Sequence, residues 1–169
     1  MRRFIANILK ALGLTSNPAG SGKMKFRPIP VDVSDDMNRQ RAFVAALVSK
    51  HYPGKQLASC KEDFAILQAI VDKQLLTKQQ TWELQALGVC FGDALAGYIP
   101  GLGWSLVTDE YGTDPTLRFK DTTTQFNALT MISKRVEDGS EVDLAHIAHW
   151  LVDFIDKQSS EFGSVPKTT

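Results

Sequence analysis

The chain is 169 residues long, 43% hydrophobic and 22% charged, which fits one soluble domain with tails. A chain of this size can bury a core without the help of disulfides or metals. Its 19 Lys and Arg balance 19 Asp and Glu. The resulting net charge of zero argues against a strongly basic nucleic-acid-binding protein.

The first 14 residues predict a short amphipathic helix. Five apolar residues share one helical face: Phe4, Ile5, Ile8, Leu9 and Leu12. Lys10 interrupts the apolar run and no small-residue cleavage site follows, so the pattern is not that of a signal peptide. The segment is too short to span a membrane. It is expected to pack on its own domain or a partner, and an interfacial membrane helix is the alternative.

Residues 15–33 are rich in Gly, Ser and Pro and predict a flexible linker that ends in an extended segment. Pro28 and Pro30 argue against a central strand there. A single globular domain is predicted from 34 to 157. The polar residues 158–169 predict a disordered tail.

Capping residues mark the predicted helix starts inside the domain. Helices with apolar stripes are expected to begin near Ser34, Ser59, Thr77 and Ser140. A further helix is expected from about Gln125 to Glu137. In the helix that starts near Thr77, Gly88 and Gly92 lie on one face. Each costs about 1 kcal/mol of helix propensity relative to alanine, so we expect another backbone to pass close to them.

A strand pair is predicted after that helix. Trp104–Thr108 alternates large apolar and small polar residues, an acidic turn follows at 109–115, and Thr116–Phe119 returns. The predicted fold class is therefore α+β, mostly helical, with about five to six helices and one small antiparallel β-hairpin.

The segment 87–143 resembles a bacterial family described only as "domain of unknown function 3806". The matching motifs are Leu87-Gly88-x-x-x-Gly92-Asp93, Trp104 with Val107-Thr108-Asp109-Glu110-Tyr111-Gly112, Asp114-Pro115 with Leu117-Arg118, and Met131-Ile132-Ser133-Lys134-Arg135-Val136-Glu137. The family implies no established activity. The resemblance supports the domain boundary rather than a mechanism.

Asp93 lies among apolar residues in the middle of a helix, where a carboxylate requires a partner. The expected partners are Arg118, Lys134 and Arg135, which together with Glu137 form a predicted structural ion network. The alternative is an uncharacterised enzyme or small-ligand binder, with a charged site around Asp93, Arg118 and Lys134 or Arg135.

Other chemistry-bearing residues favour structural roles. His146 and His149 lie three apart with no third ligand in view, so no metal site and no cofactor are predicted. Cys60 and Cys90 lie in helical patterns and are expected to be reduced, buried thiols. The chain lacks a phosphate-binding Gly-Lys-Ser/Thr loop, a GxSxG elbow and an HExxH motif.

The sequence thus favours a non-enzymatic, cytoplasmic protein-binding module. The predicted binding residues surround the acidic turn: Trp104, Asp109, Glu110, Tyr111 and Asp114. The most concrete version is an immunity-type protein that neutralises a bacterial toxin, because acidic surfaces suit toxins with basic clefts. A peripheral membrane protein held by residues 1–14 is a further alternative. No nucleic acid partner and no transmembrane segment are expected, and the oligomeric state stays open.

Overall fold

The computed structural model describes residues 24–110 and 112–162. The described elements follow in this order: β1 (Lys25–Arg27), α1 (Val31–His51), α2 (Asp63–Asp72), α3 (Thr81–Tyr98), β2 (Leu102–Asp109), β3 (Gly112–Phe119), β4 (Gln125–Phe126), α4 (Ala128–Asp138) and α5 (Leu144–Phe162). Five helices beside one small antiparallel sheet confirm the predicted α+β, mostly helical fold within these ranges.

The sheet has the strand order β1-β2-β3-β4, and every pairing is antiparallel. The predicted hairpin is confirmed: β2 and β3 pair from Leu102↔Phe119 to Asp109↔Gly112. Two short strands flank it. β1 pairs with β2 through Phe26↔Val107, inside the segment predicted as a linker, and it is an edge strand as the nearby prolines indicated.

Helix α3 is the centre of the core. Ten of its residues are buried, and it packs against α1, α2, α4 and β2. A Cβ on Gly88 would lie 2.5 Å from the Leu129 carbonyl oxygen of α4, and a Cβ on Gly92 would overlap the Trp104 ring. The expected close approach of another backbone is therefore found at Gly88, whereas a side chain fills the space at Gly92.

Several helices begin or end away from the predicted residues. Helix α1 starts at Val31 after Pro30, not at Ser34, because proline suits the entry to a helix. The stretch 125–126 is a strand, and the following helix starts at Ala128. Helix α5 continues to Phe162, beyond the predicted boundary at 157.

Near two of the predicted helix starts, an aspartate rather than the predicted serine accepts hydrogen bonds from backbone amides. Asp63 accepts hydrogen bonds from the Ala58 and Cys60 amides, and Asp143 accepts one from the His146 amide. α2 begins at Asp63 and α5 begins at Leu144, each four residues after the predicted starts at Ser59 and Ser140.

Across residues 24–110 and 112–162, no helix is long and apolar enough to cross a membrane. The predicted helix at 1–14, the flexible part of the linker up to residue 23, and the tail from 163 onward lie outside the described residues.

Candidate functional site

Asp93 of α3 lies at the junction of the helices and the sheet. Arg41 of α1 donates two hydrogen bonds to it, from Nε to Oδ2 at 2.7 Å and from Nη2 to Oδ1 at 2.8 Å. Trp104 of β2 donates its indole N–H to Oδ1 at 2.9 Å. One carboxylate therefore joins three elements that are far apart in sequence.

The geometry of this cluster indicates a structural role, in which side-chain hydrogen bonds hold α1, α3 and β2 together. The third Arg41 nitrogen, Nη1, donates to Asn38 Oδ1 at 2.9 Å, so each nitrogen of the guanidinium is used. The hydrogen bond to Asp93 raises the pKa of Arg41 and outweighs the desolvation that opposes it. Since both Asp93 oxygens already accept bonds from fixed donors, the carboxylate is poorly placed to exchange a proton with a substrate.

Asp93 thus has a partner, as expected, but the partner is Arg41 rather than Arg118, Lys134 or Arg135. The sequence did contain a signal for Arg41. Met37, Val44 and Val48 form the buried stripe of α1, and Arg41 occupies the same helical period between them. A cation on an apolar stripe needs a buried or half-buried partner, and Asp93 supplies it.

The other residues of the predicted ion network are separated. Arg118 donates from Nε to the Thr122 carbonyl oxygen. Arg135 is buried and donates to the Met131 carbonyl oxygen of its own helix, and burial lowers its pKa. Glu137 accepts a hydrogen bond from the Thr81 hydroxyl, and Lys134 is exposed on α4. The predicted alternative site around Asp93, Arg118 and Lys134 or Arg135 is therefore not assembled.

The acidic residues of the predicted binding surface lie together at the turn of the hairpin. Glu110 and Asp114 are exposed, and Asp109 is half-buried at the end of β2. We call Asp109, Glu110 and Asp114 the acidic hairpin end. Trp104 is remote from it: it lies five positions before Asp109 along β2, a distance of about 16 Å, and its indole faces α3. Tyr111 lies outside the described residues.

A cleft of about 440 Å³ opens beside the Arg41–Asp93 pair. It is lined by α1, the α1–α2 loop, Asp63 and Cys90. Burial raises the pKa of the Cys90 thiol to about 12, so Cys90 is neutral and unreactive near neutral pH. Cys60 is half-buried in the loop before α2, not in a helix as predicted.

The histidines occupy the exposed side of α5. His149 Nδ1 lies 2.9 Å from the Ala145 carbonyl oxygen, and His146 is also exposed. Within the described ranges no three His, Cys, Asp or Glu side chains are grouped so that they could hold a metal ion.

Comparisons with known proteins identify the family and the fold. A sequence profile described as a domain of unknown function (DUF3806) matches residues 63–147, about half of the chain. A crystal structure of a protein from Bacteroides thetaiotaomicron VPI-5482 is similar, with a TM-score of 0.70 and 16% sequence identity over 82% of this chain. This chain spans 51% of that protein. A search of curated protein sequences found no significant match.

Proposed function

We propose that this chain, which belongs to the domain of unknown function 3806 family, is a non-enzymatic protein-binding module whose recognition surface is the acidic hairpin end. The observation that carries the proposal is the exposure of two carboxylates, Glu110 and Asp114, at the end of a paired hairpin. The partner contributes a basic surface.

The open edge of β3 supports this proposal. β4 pairs only with Leu117 and Arg118, so among the described strands β2 alone pairs with residues 112–116. Gly112, Thr113 and Asp114 are exposed along that edge. On the other side of the hairpin, Lys25 of β1 pairs with Thr108. A basic side chain therefore lies beside β2, whereas the exposed edge of β3 carries the carboxylate of Asp114.

The two strands that carry the acidic hairpin end are also joined by their side chains. The Thr108 and Thr113 hydroxyls are 2.9 Å apart and bond across the two strands, one residue before the turn. β1 adds a third strand next to Thr108. Strands that are already paired lose little conformational entropy when a partner binds, which favours recognition by this end of the sheet.

The most specific form of the proposal is an immunity-type protein that docks on a toxin and covers a basic substrate cleft. Charge complementarity would steer the encounter and raise the association rate constant, and this rate would fall as salt is added. The ion pair of Asp93 with Arg41 is consistent with a protein that acts by binding, because this carboxylate joins elements of the fold.

Affinity purification from the source organism with quantitative mass spectrometry tests the proposal. Three full-length baits are compared: the natural chain, Glu110→Gln/Asp114→Asn, and the control Asp138→Asn/Glu141→Gln. The control removes the same charge from two exposed residues at the end of α4 and in the loop that follows it. We expect one stoichiometric partner with the natural chain and the control, and at least a tenfold smaller yield with the hairpin variant.

The purified partner then allows stopped-flow measurement of association. The hairpin variant should reduce the association rate constant and its salt dependence, as expected for exposed charges at an interface. A partner that binds the hairpin variant as well as it binds the natural chain would refute the assigned surface. Absence of any enriched partner would refute the protein-binding function.

A further inference from the structure

Arg118 lies on the side of β3 that faces away from α3, and its guanidinium is held from two directions. Nε donates to the Thr122 carbonyl oxygen at 2.7 Å, and the guanidinium carbon lies 4.3 Å from the centre of the Phe26 ring. The side chain is 23% exposed. These contacts fix the plane of the guanidinium before any ligand arrives.

The two terminal nitrogens of Arg118 have spare donor capacity. Their ionic neighbour is Asp121, whose Oδ1 lies 3.8 Å from Nη1, beyond hydrogen-bonding distance. Asp121 is fully exposed, so its charge is strongly screened by water. Among the described residues, no acceptor forms a hydrogen bond with either terminal nitrogen. Arg41 differs, because Asp93 and Asn38 occupy all of its nitrogens.

Arg118 lines an open basin of about 590 Å³ together with Phe26, Lys120 and the Gly101–Gly103 backbone. We call this the Arg118 basin. Gly103 pairs directly with Arg118 across the strands, and a Cβ on Gly103 would meet nothing within 4 Å. The floor beside the guanidinium therefore has room for a ligand to approach the backbone.

Lys120 supplies a second positive charge to the basin. It has a φ of 48°, and its side chain packs along Gly101, with Cγ 3.0 Å from where a Gly101 Cβ would stand. Its ammonium lies 4.9 Å from the centre of the Phe119 ring. Arg27 lines the rim as well. Three cationic residues and one screened carboxylate give the basin a net positive character.

We propose that the Arg118 basin binds the phosphate group of a phosphate monoester. A guanidinium with one fixed edge and two available N–H donors matches two phosphate oxygens, and a neighbouring ammonium matches the second negative charge. The Phe26 ring beside it offers an apolar contact for the rest of the ester. The site is separate from the acidic hairpin end, so it adds to the proposed protein-binding function and does not depend on it.

Titration calorimetry of the full chain with phenyl phosphate and with inorganic phosphate, at fixed ionic strength, tests this site. We expect saturable binding with one site per chain. Arg118→Gln should weaken binding by about tenfold, since it removes two charge-assisted hydrogen bonds. Arg118→Lys should also weaken binding because the ammonium cannot form the paired geometry. Lys120→Gln should weaken it by roughly threefold.

Matched variants control for the loss of charge. Arg39→Gln removes an exposed arginine of α1, and Lys134→Gln removes an exposed lysine of α4, both outside the basin. Neither should change the affinity. Thermal melting in phosphate-free buffer shows whether each variant is folded. If Arg118→Gln is unfolded, the affinity of Lys120→Gln for the same probes tests the site instead.

Co-sedimentation with phosphatidylcholine vesicles that contain phosphatidic acid distinguishes a lipid headgroup from a soluble phosphate ester. Arg118-dependent binding to phenyl phosphate establishes the site with a soluble ligand. Arg118-dependent binding to the vesicles alone establishes it with a lipid headgroup. The proposal is overturned if neither probe binds, or if binding is the same in Arg118→Gln and the natural chain.

Discussion

Arg41 and Asp93, 52 positions apart in sequence, are joined by two hydrogen bonds of 2.7 and 2.8 Å. The pair attaches α1 to α3 at the point where Trp104 of β2 bonds to the same carboxylate. Both side chains are only partly exposed, with 34% of Arg41 and 15% of Asp93 accessible. The pair therefore orients a helix and a strand against the centre of the core.

Removal of the Asp93 charge is the first prediction. Asp93→Asn should lower the free energy of unfolding by about 2 kcal/mol, because Arg41 loses its counter-charge while it stays half-buried. Urea unfolding followed by circular dichroism measures the change. Asp156→Asn, which removes an exposed carboxylate of α5, should have an effect below about 0.5 kcal/mol.

A double-mutant cycle with Arg41→Gln isolates the interaction energy of the Arg41–Asp93 pair from the other contacts of each residue. The loss in the double variant should be smaller than the sum of the two single losses by about 1 kcal/mol or more. Strict additivity would contradict a direct role of the pair in stability.

The second prediction concerns the contact of α3 with α4. Gly88→Ala should destabilise the protein by about 2 kcal/mol, even though alanine favours a helix by about 1 kcal/mol. The new methyl would meet the Leu129 and Ala128 carbonyl oxygens at 2.5 and 2.6 Å, and backbone atoms cannot rotate away. The control is Gly103→Ala, which should leave stability unchanged because the space around Gly103 is open. Chemical unfolding of the two variants measures the difference. Equal effects of the two substitutions would contradict the close contact between Gly88 and α4.

The third prediction is a difference in reactivity between the two cysteines. Neighbouring carboxylates, Glu62 above all, raise the pKa of Cys60, and burial raises the pKa of Cys90 to about 12. A disulfide reagent at slightly alkaline pH should modify one thiol per folded chain, at Cys60, because Cys90 is only 5% exposed. Cys60→Ala should remove this reaction until urea exposes Cys90. Rapid modification of Cys90 in the folded protein would be inconsistent with its burial.

The raised pKa of Cys90 also predicts a loss of stability at high pH. The folded thiol holds its proton to about pH 12, whereas the unfolded thiol loses it near its ordinary value of 9.0. Between these values the unfolded state binds fewer protons, so the free energy of unfolding falls as pH rises, by about 1.4 kcal/mol per pH unit for this group. The stability that the buried, protonated Cys90 thiol contributes is fully present below pH 9.

Urea unfolding from pH 8 to 10.5 measures this slope. Cys60→Ala is compared with Cys60→Ala/Cys90→Ala, so that the two proteins differ in the Cys90 thiol alone. The double variant should lose less stability over this range. Parallel curves would show that Cys90 does not titrate differently in the two states.

Much of the fold followed from local patterns. Alternating residues around the Asp109–Asp114 turn predicted the hairpin, and paired glycines in α3 predicted a close backbone neighbour, which at Gly88 is α4. Helix starts were less accurate. Serine and aspartate both cap helices, and at the start of α5 it is Asp143, not Ser140, that accepts a hydrogen bond from the His146 amide.

The candidate sites also differ in how far the sequence predicts them. The acidic hairpin end was visible in the sequence because a turn keeps its own residues together. The predicted partners of Asp93 are wrong, since Arg41 precedes Asp93 by 52 residues and local patterns favour cations that are nearer in sequence. The Arg118 basin was also missed, because it depends on Phe26 of β1 lying two strands away from β3.

The sequence by itself determined the existence of the main helices, their apolar faces, the β2–β3 hairpin and its acidic turn, because these depend on residues within a few positions of one another. The tertiary structure alone decided which charges meet. Long-range pairing depends on how α1, α3 and the sheet cross, and the energy of that packing is spread over many core residues. A charged side chain such as Arg41 or Arg118 then takes the partner that the packed elements bring within reach.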